Sequence, residues 1–129
     1  MARIEHFAIF AADLEALRAF YTEVFGLRVV VDNSKAVVPG YFLGDDAGTL
    51  LEIITRPEGI PAAETRYVCH VAFWVDEYDA ARAELERRGV EFEIDTKVDT
   101  PTMRTEFFHD PEGNRCQIVW RSKPLGTSA

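Results

Sequence analysis

The chain predicts an α+β fold of two paired β-α-β-β-β modules whose sheets curve into a half-barrel cavity. Three observations predict it. The sequence repeats: Ile4-Glu5-His6-Phe7-Ala8-Ile9-Phe10 aligns on Val68-Cys69-His70-Val71-Ala72-Phe73-Trp74, and residues 42–53 align on 107–118, where Phe, Asp, Gly and Ile coincide. Each copy passes from an alternating apolar segment to a helically spaced one and then to further strand-like segments. A lone module of a few strands and one helix keeps a bare sheet face and an exposed edge, which a second module can cover.

The first module occupies about residues 3–55. Ile4, His6, Ala8 and Phe10 alternate on one face of an opening strand. Asp13 caps a helix in which Leu14, Leu17, Phe20 or Tyr21, and Val24 recur, and Gly26 stops it. Strands follow at 28–32, 37–43 and 49–55, with turn chemistry at Asp32-Asn33-Ser34 and Gly44-Asp45-Asp46. Residues 56–67, with Pro57, Gly59 and Pro61, lack either periodicity and read as a linker. The second module, about 68–121, restarts with a strand at 68–75. Asp76 caps a helix with Tyr78, Ala81 and Leu85 inward, and Arg87-Arg88 precede Gly89. Strands at 90–98, 103–109 and 114–121 complete it, and 123–129 form a loose tail.

Composition narrows the function. A chain of 129 residues, 47% of them hydrophobic, is one domain able to bury a sizeable core. No apolar run approaches the roughly 20 residues that span a bilayer. Residues 1–10 also lack the basic start and cleavage site of a signal peptide, so a soluble, cytoplasmic protein is expected. The net charge of −8 speaks against nucleic acid and anionic membranes as partners and leaves a small molecule as the expected ligand. Cys69 and Cys116 sit in apolar strand segments and read as buried thiols.

The repeat also places one imidazole early and one oxygen donor late in each half: His6 with Glu52, and His70 with Gln117. Leu51 and Ile53 flank Glu52, as Cys116 and Ile118 flank Gln117, so in both strands the polar residue faces away from the buried side. A pseudo-twofold arrangement would gather all four around one ion. Two imidazoles, a carboxylate and an amide oxygen suit Zn²⁺, Ni²⁺, Mn²⁺ or Fe²⁺ better than Ca²⁺. With one carboxylate the loaded site stays positive and favours an anionic or enediolate-like oxygen pair on a substrate. Glu52 is the general-base candidate, since Gln117 cannot take a proton. Taken singly, a histidine in an apolar strand is usually a hydrogen-bonded core residue, and the repeat is what lifts His6 above that reading. His109 matches Gly44 and reads as a strand-end residue, Asp110-Pro111-Glu112-Gly113-Asn114 as a hairpin turn, and Phe42, Phe73, Trp74 and Phe107 as core or cavity wall.

These residues resemble the vicinal oxygen chelate superfamily, which includes glyoxalase I, extradiol dioxygenases, fosfomycin-resistance enzymes, methylmalonyl-CoA epimerase and the metal-free bleomycin-resistance proteins. The resemblance runs from Ile4 to Trp120. It is carried by Ile4-Glu5-His6, Ala19-Phe20-Tyr21, Phe25-Gly26-Leu27, Cys69-His70-Val71-Ala72-Phe73 and Asp110-Pro111-Glu112-Gly113-Asn114-Arg115. It implies a divalent metal at His6, Glu52, His70 and Gln117, and a homodimer whose sites each take one module from each subunit. Glyoxalase I and the epimerase usually carry glutamate where this chain has Gln117. The expected function is therefore a metal-dependent glyoxalase-like lyase or isomerase acting on a small oxygenated substrate, with Glu52 moving the proton. Two alternatives stand beside it: a metal-free, ligand-sequestering binding protein, and an Fe²⁺ extradiol-type dioxygenase. Substrate specificity is expected in the loops at 31–41, 56–67 and 95–103, and Arg66, Arg104 and Arg115 are either anion contacts or solvated side chains.

Overall fold

The computed structural model describes residues 1, 4–60 and 70–125. Two units divide the chain, Met1–Ala63 and Glu64–Ala129. The first contains β1 (His6–Ala11), α1 (Leu14–Phe25), β2 (Arg28–Asn33), β3 (Gly40–Gly44) and β4 (Leu50–Thr55). Its four-stranded sheet has the order β1-β4-β3-β2, parallel between β1 and β4 and antiparallel elsewhere. The second contains β5 (Val71–Trp74), α2 (Tyr78–Arg87), β6 (Val98–Asp99), β7 (Met103–His109) and β8 (Arg115–Arg121), in the matching order β5-β8-β7-β6. Its β5–β8 pair is parallel, and the other two pairs are antiparallel. Each unit is thus a mixed sheet with one helix, and the fold is α+β.

In the first unit the Asp13 carboxylate accepts the Ala16 amide at 3.1 Å, which satisfies one of the amide groups left open at the start of α1. Gly26, with φ of 69°, ends the helix in the left-handed conformation. Leu17, Phe20 and Tyr21 are buried on the helix, and Ile9, Ala11, Tyr41, Leu43, Leu51 and Ile53 on the sheet, each large apolar side chain contributing roughly 1.5–3 kcal/mol. Asp32 and Asp45 close their turns by accepting the amides of Ser34 and Ala47 at 2.9 and 2.7 Å. The strand expected at 37–43 begins only at Gly40, because Pro39 has no amide hydrogen for a ladder. Tyr41 on β3 donates to Glu15 on α1, which Arg18 also holds, at 2.7 Å.

In the second unit the same helix-to-strand contact recurs with the roles exchanged. Tyr78 on α2 donates to Glu106 on β7 at 3.0 Å, and Arg82 donates to the same carboxylate at 2.8 Å. Burial, followed by the neighbouring Glu106 carboxylate, pushes the pKa of the Tyr78 hydroxyl up. Leu85 on α2 and Phe108, Cys116 and Ile118 on the sheet complete the core. Two expectations need correction. The residue at the start of α2 is Glu77, which makes no side-chain cap; Asp76 instead accepts the Trp74 indole N–H at 2.9 Å. Residues 90–98 do not form a full strand. Only Val98–Asp99 pairs regularly, and Phe92 makes an isolated bridge to Phe108. The Glu93 amide still donates to the Phe107 carbonyl at 2.8 Å, so pairing with β7 is intermittent there. The buried-thiol reading holds for Cys116; Cys69, Val68, Arg66 and the end of the tail lie outside the described residues.

Candidate functional site

Strand parity puts Glu52 on the face of the first sheet opposite to Leu51 and Ile53, whose side chains are buried. Across the ladder Glu52 is paired with Ala8 on β1 and with Phe42 on β3. His6, two residues before Ala8, shares that face, and its ring meets Phe42 edge-to-face with centroids 5.2 Å apart. Its two nitrogens meet two carboxylates. Nδ1 lies 2.9 Å from Glu5 Oε1, and Nε2 lies 3.7 Å from Glu52 Oε1. A neutral imidazole whose Nδ1–H donates to Glu5 presents its Nε2 lone pair to Glu52.

That arrangement fits a cation. At 3.7 Å Nε2 and Glu52 Oε1 lie beyond hydrogen-bond distance, and both are atoms able to bind a cation. Two donors on one ion at about 2.1 Å lie roughly 3–4 Å apart. A carboxylate on the remote nitrogen is also how a metal-binding histidine is commonly oriented.

The second sheet repeats the register with different side chains. Gln117 lies opposite to Ala72 on β5 and Phe107 on β7, and His70, two residues before Ala72, meets Phe107 edge-to-face at 5.1 Å. Cys116 and Ile118, which flank Gln117, are fully buried. Gln117 Nε2 donates to Thr105 Oγ1 at 2.6 Å, and Thr105 Oγ1 donates in turn to the Ile118 carbonyl at 2.8 Å. Arg115, two residues before Gln117 on the same strand face, stacks on the Phe107 ring at 3.8 Å. Its guanidinium grips Glu93 through both oxygens, at 2.8 and 3.0 Å. That grip holds the Glu93 carboxyl below its ordinary value, with His109 adding a smaller attraction.

Each unit therefore presents a histidine and an oxygen donor on one sheet face. Among the described residues, no group of three or more His, Cys, Asp and Glu side chains gathers as a metal cage. The arginines resolve differently from one another. Arg115 is bound to Glu93, Arg104 is paired with Asp79 and Asp99 at 2.9 and 3.4 Å, and Arg66 lies outside the described residues. Arg104 also borders a cleft of about 250 Å³ with Tyr78 and Trp120, on the helix side of the second sheet and so away from Gln117. The acidic loop is a turn: Asp110 accepts the amides of Glu112 and Asn114 at 2.8 and 2.9 Å. Glu5 and Thr105 are the contributors that motif reading missed. The acid beside His6 was a visible signal, whereas Thr105 becomes visible only once β7 is registered against β8.

The sequence profile of the Glyoxalase/Bleomycin resistance protein/Dioxygenase superfamily matches residues 3–118. The uncharacterized protein YaeR of Escherichia coli (strain K12) is 31% identical, over 88% of this chain and 92% of its own length. The antibiotic binding protein TnmS3 of Streptomyces sp. CB03234 shares the fold with a TM-score of 0.75 and 24% identity, covering 95% of this chain and 98% of that one. The fosfomycin resistance protein FosX of Listeria monocytogenes does so with a TM-score of 0.76 and 18% identity, covering 97% and 94%. Among the described residues, no helix is long and apolar enough to cross a membrane. The chain belongs to the Glyoxalase/Bleomycin resistance protein/Dioxygenase superfamily, which holds enzymes and binding proteins alike.

Proposed function

We propose that this member of the superfamily is a metal-dependent, glyoxalase-like lyase or isomerase acting on a small oxygenated substrate. The observation that carries the proposal is the pair in the first unit, where Glu5 holds His6 Nδ1 and His6 Nε2 faces Glu52 Oε1 at 3.7 Å. The ligand set is His6, Glu52, His70 and Gln117, and the ion is Zn²⁺, Ni²⁺, Mn²⁺ or Fe²⁺. When bound, it supplies a Lewis acid for adjacent substrate oxygens. Within the chain, Glu52 takes the proton from the neighbouring substrate carbon and returns it, a task for which the neutral Gln117 amide is unsuited. The protein acts in the cytoplasm as a homodimer, each site drawing one module from each subunit.

Elemental mass spectrometry of protein purified without added metal or chelator tests this directly. Near-stoichiometric Zn, Ni, Mn or Fe, lost in a His6→Ala/His70→Ala double variant, is expected; no metal after exposure to each ion overturns the reading. Glu52→Gln is expected to lower turnover by about 10²–10⁴-fold. Mixing His6→Ala subunits with His70→Ala subunits tests the shared site, because a mixed dimer regains one intact ligand set only when each site spans both subunits. A metal-independent binding protein is the second reading, favoured by the uncharged Gln117 and by the fold shared with TnmS3. It predicts ligand binding that chelators leave unchanged. Iron-dependent oxygen consumption would instead select the dioxygenase.

A further inference from the structure

We infer that Thr105 is a positioning residue that locks the Gln117 amide so that Oε1, the only metal-binding atom of that side chain, is the one offered to a cation. The inference deepens the metal-site reading and rests on it. Thr105 is buried, at 2% exposure, and its hydroxyl carries a single proton. That proton goes to the Ile118 carbonyl at 2.8 Å, so the hydroxyl faces Gln117 with lone pairs alone. Only the NH₂ end of an amide can answer it, and Nε2 sits there at 2.6 Å. The reversed amide would set two acceptor oxygens against each other with no proton between them, at the cost of a buried unsatisfied group. With Nε2 committed, Oε1 is the arm turned away from Thr105.

The first unit has no counterpart to this lock. The residue equivalent to Thr105 is Gly40: Gly40 stands opposite Ile54 on β4 as Thr105 stands opposite Val119 on β8. A side chain there would force the backbone to shift, since a Cβ on Gly40 would lie 2.8 Å from the Ile53 carbonyl oxygen. The two oxygen donors are thus held differently. Glu52 receives no hydroxyl from β3 at that position, whereas Gln117 is held by a hydrogen-bonded relay that ends in the backbone.

Zn²⁺ titration calorimetry of the chelator-treated full chain tests the lock, and thermal melting of the metal-free protein reports structural damage separately. Zn²⁺ is a suitable probe because a nitrogen and oxygen site generally binds it more tightly than Mn²⁺ or Fe²⁺. Thr105→Val keeps the shape and removes the hydroxyl, and is expected to weaken Zn²⁺ binding by about 10–100-fold. Thr105→Ser restores the hydroxyl and is expected to restore affinity. In a Gln117→Ala background, Thr105→Val is expected to add no further loss, because its effect passes through the amide. Unchanged affinity in Thr105→Val, or a full additional loss in the Gln117→Ala background, overturns the inference and leaves the metal site standing. Failure of the wild-type chain to bind Zn²⁺ overturns both.

Discussion

The two units share a ladder but not its chemistry. Val29 pairs with Leu43 as Phe92 bridges to Phe108, and Gly44 pairs with Leu50 as His109 pairs with Arg115. These equivalences set Val30, Gly44 and Leu50 of the first unit against Glu93, His109 and Arg115 of the second. Where the first unit brings two apolar side chains over a glycine, the second joins an ion pair and stacks it on Phe107. The Tyr41–Glu15 and Tyr78–Glu106 bonds show the same freedom, since tyrosine and glutamate have exchanged places between helix and strand. Backbone register is conserved by hydrogen bonds that any residue makes, so side-chain pairs can be replaced whenever both members change together.

The largest effect should come from breaking the ion pair on one side. Arg115→Leu leaves the Glu93 carboxylate half-buried without its partner and is expected to lower unfolding free energy by about 3 kcal/mol in urea denaturation. Adding Glu93→Val copies the apolar pair of the first unit and should restore most of the loss. If the double variant is no better than the single one, the two pairs are not interchangeable.

Next comes the glycine that prevents the first unit from copying Thr105. Gly40→Ala pushes a methyl group to 2.8 Å from a backbone oxygen and should cost roughly 1–3 kcal/mol, measured the same way. A neutral result would mean that β3 can shift and that the asymmetry between Glu52 and Gln117 is not enforced by packing.

The exchanged tyrosines should then separate by burial. Tyr78→Phe strips a donor from Glu106, whose side chain is 3% exposed, and is expected to cost about 1.5–3 kcal/mol. Tyr41→Phe leaves Glu15 in water, with its side chain 60% exposed, and should cost less than about 1 kcal/mol in thermal or urea unfolding. Equal losses would show that burial does not distinguish the two bonds.

The smallest effect is a pH dependence. Arg115 holds Glu93 below its ordinary value of 4.5, so the pair's contribution is complete above that pH and fades as pH falls through the lowered value. Stability curves run from neutral into acid should lose this component in the Glu93→Val/Arg115→Leu double variant. A wild-type and double-variant difference that stays constant with pH would remove the electrostatic account of the pair.

Much of the fold was legible because its signals are local. Apolar alternation predicts seven of the eight strands among the described residues and the faces on which Glu52 and Gln117 stand, and Asp13, Asp32, Asp45 and Asp110 act where their turn and cap chemistry placed them. The departures have nonlocal causes. Asp76 has a capping residue's chemistry, but Trp74 holds its carboxylate, and the strand expected at 90–98 is confined to Val98–Asp99 while Glu93 pairs with Arg115. In the candidate site, the pairing of histidine with a late oxygen donor followed from the repeat, whereas the roles of Glu5 and Thr105 did not.

By itself, then, the sequence determined the duplication, the class of fold, the sided strands and the residue types at the candidate ligand positions. All of these depend on periodicity and on contacts within a few residues. The tertiary structure alone decided which atom of Gln117 meets Thr105, which nitrogen of His6 faces Glu52, and which of the described arginines are already committed. Those outcomes depend on a single proton or lone pair, and its owner is known only when strands distant in sequence lie side by side.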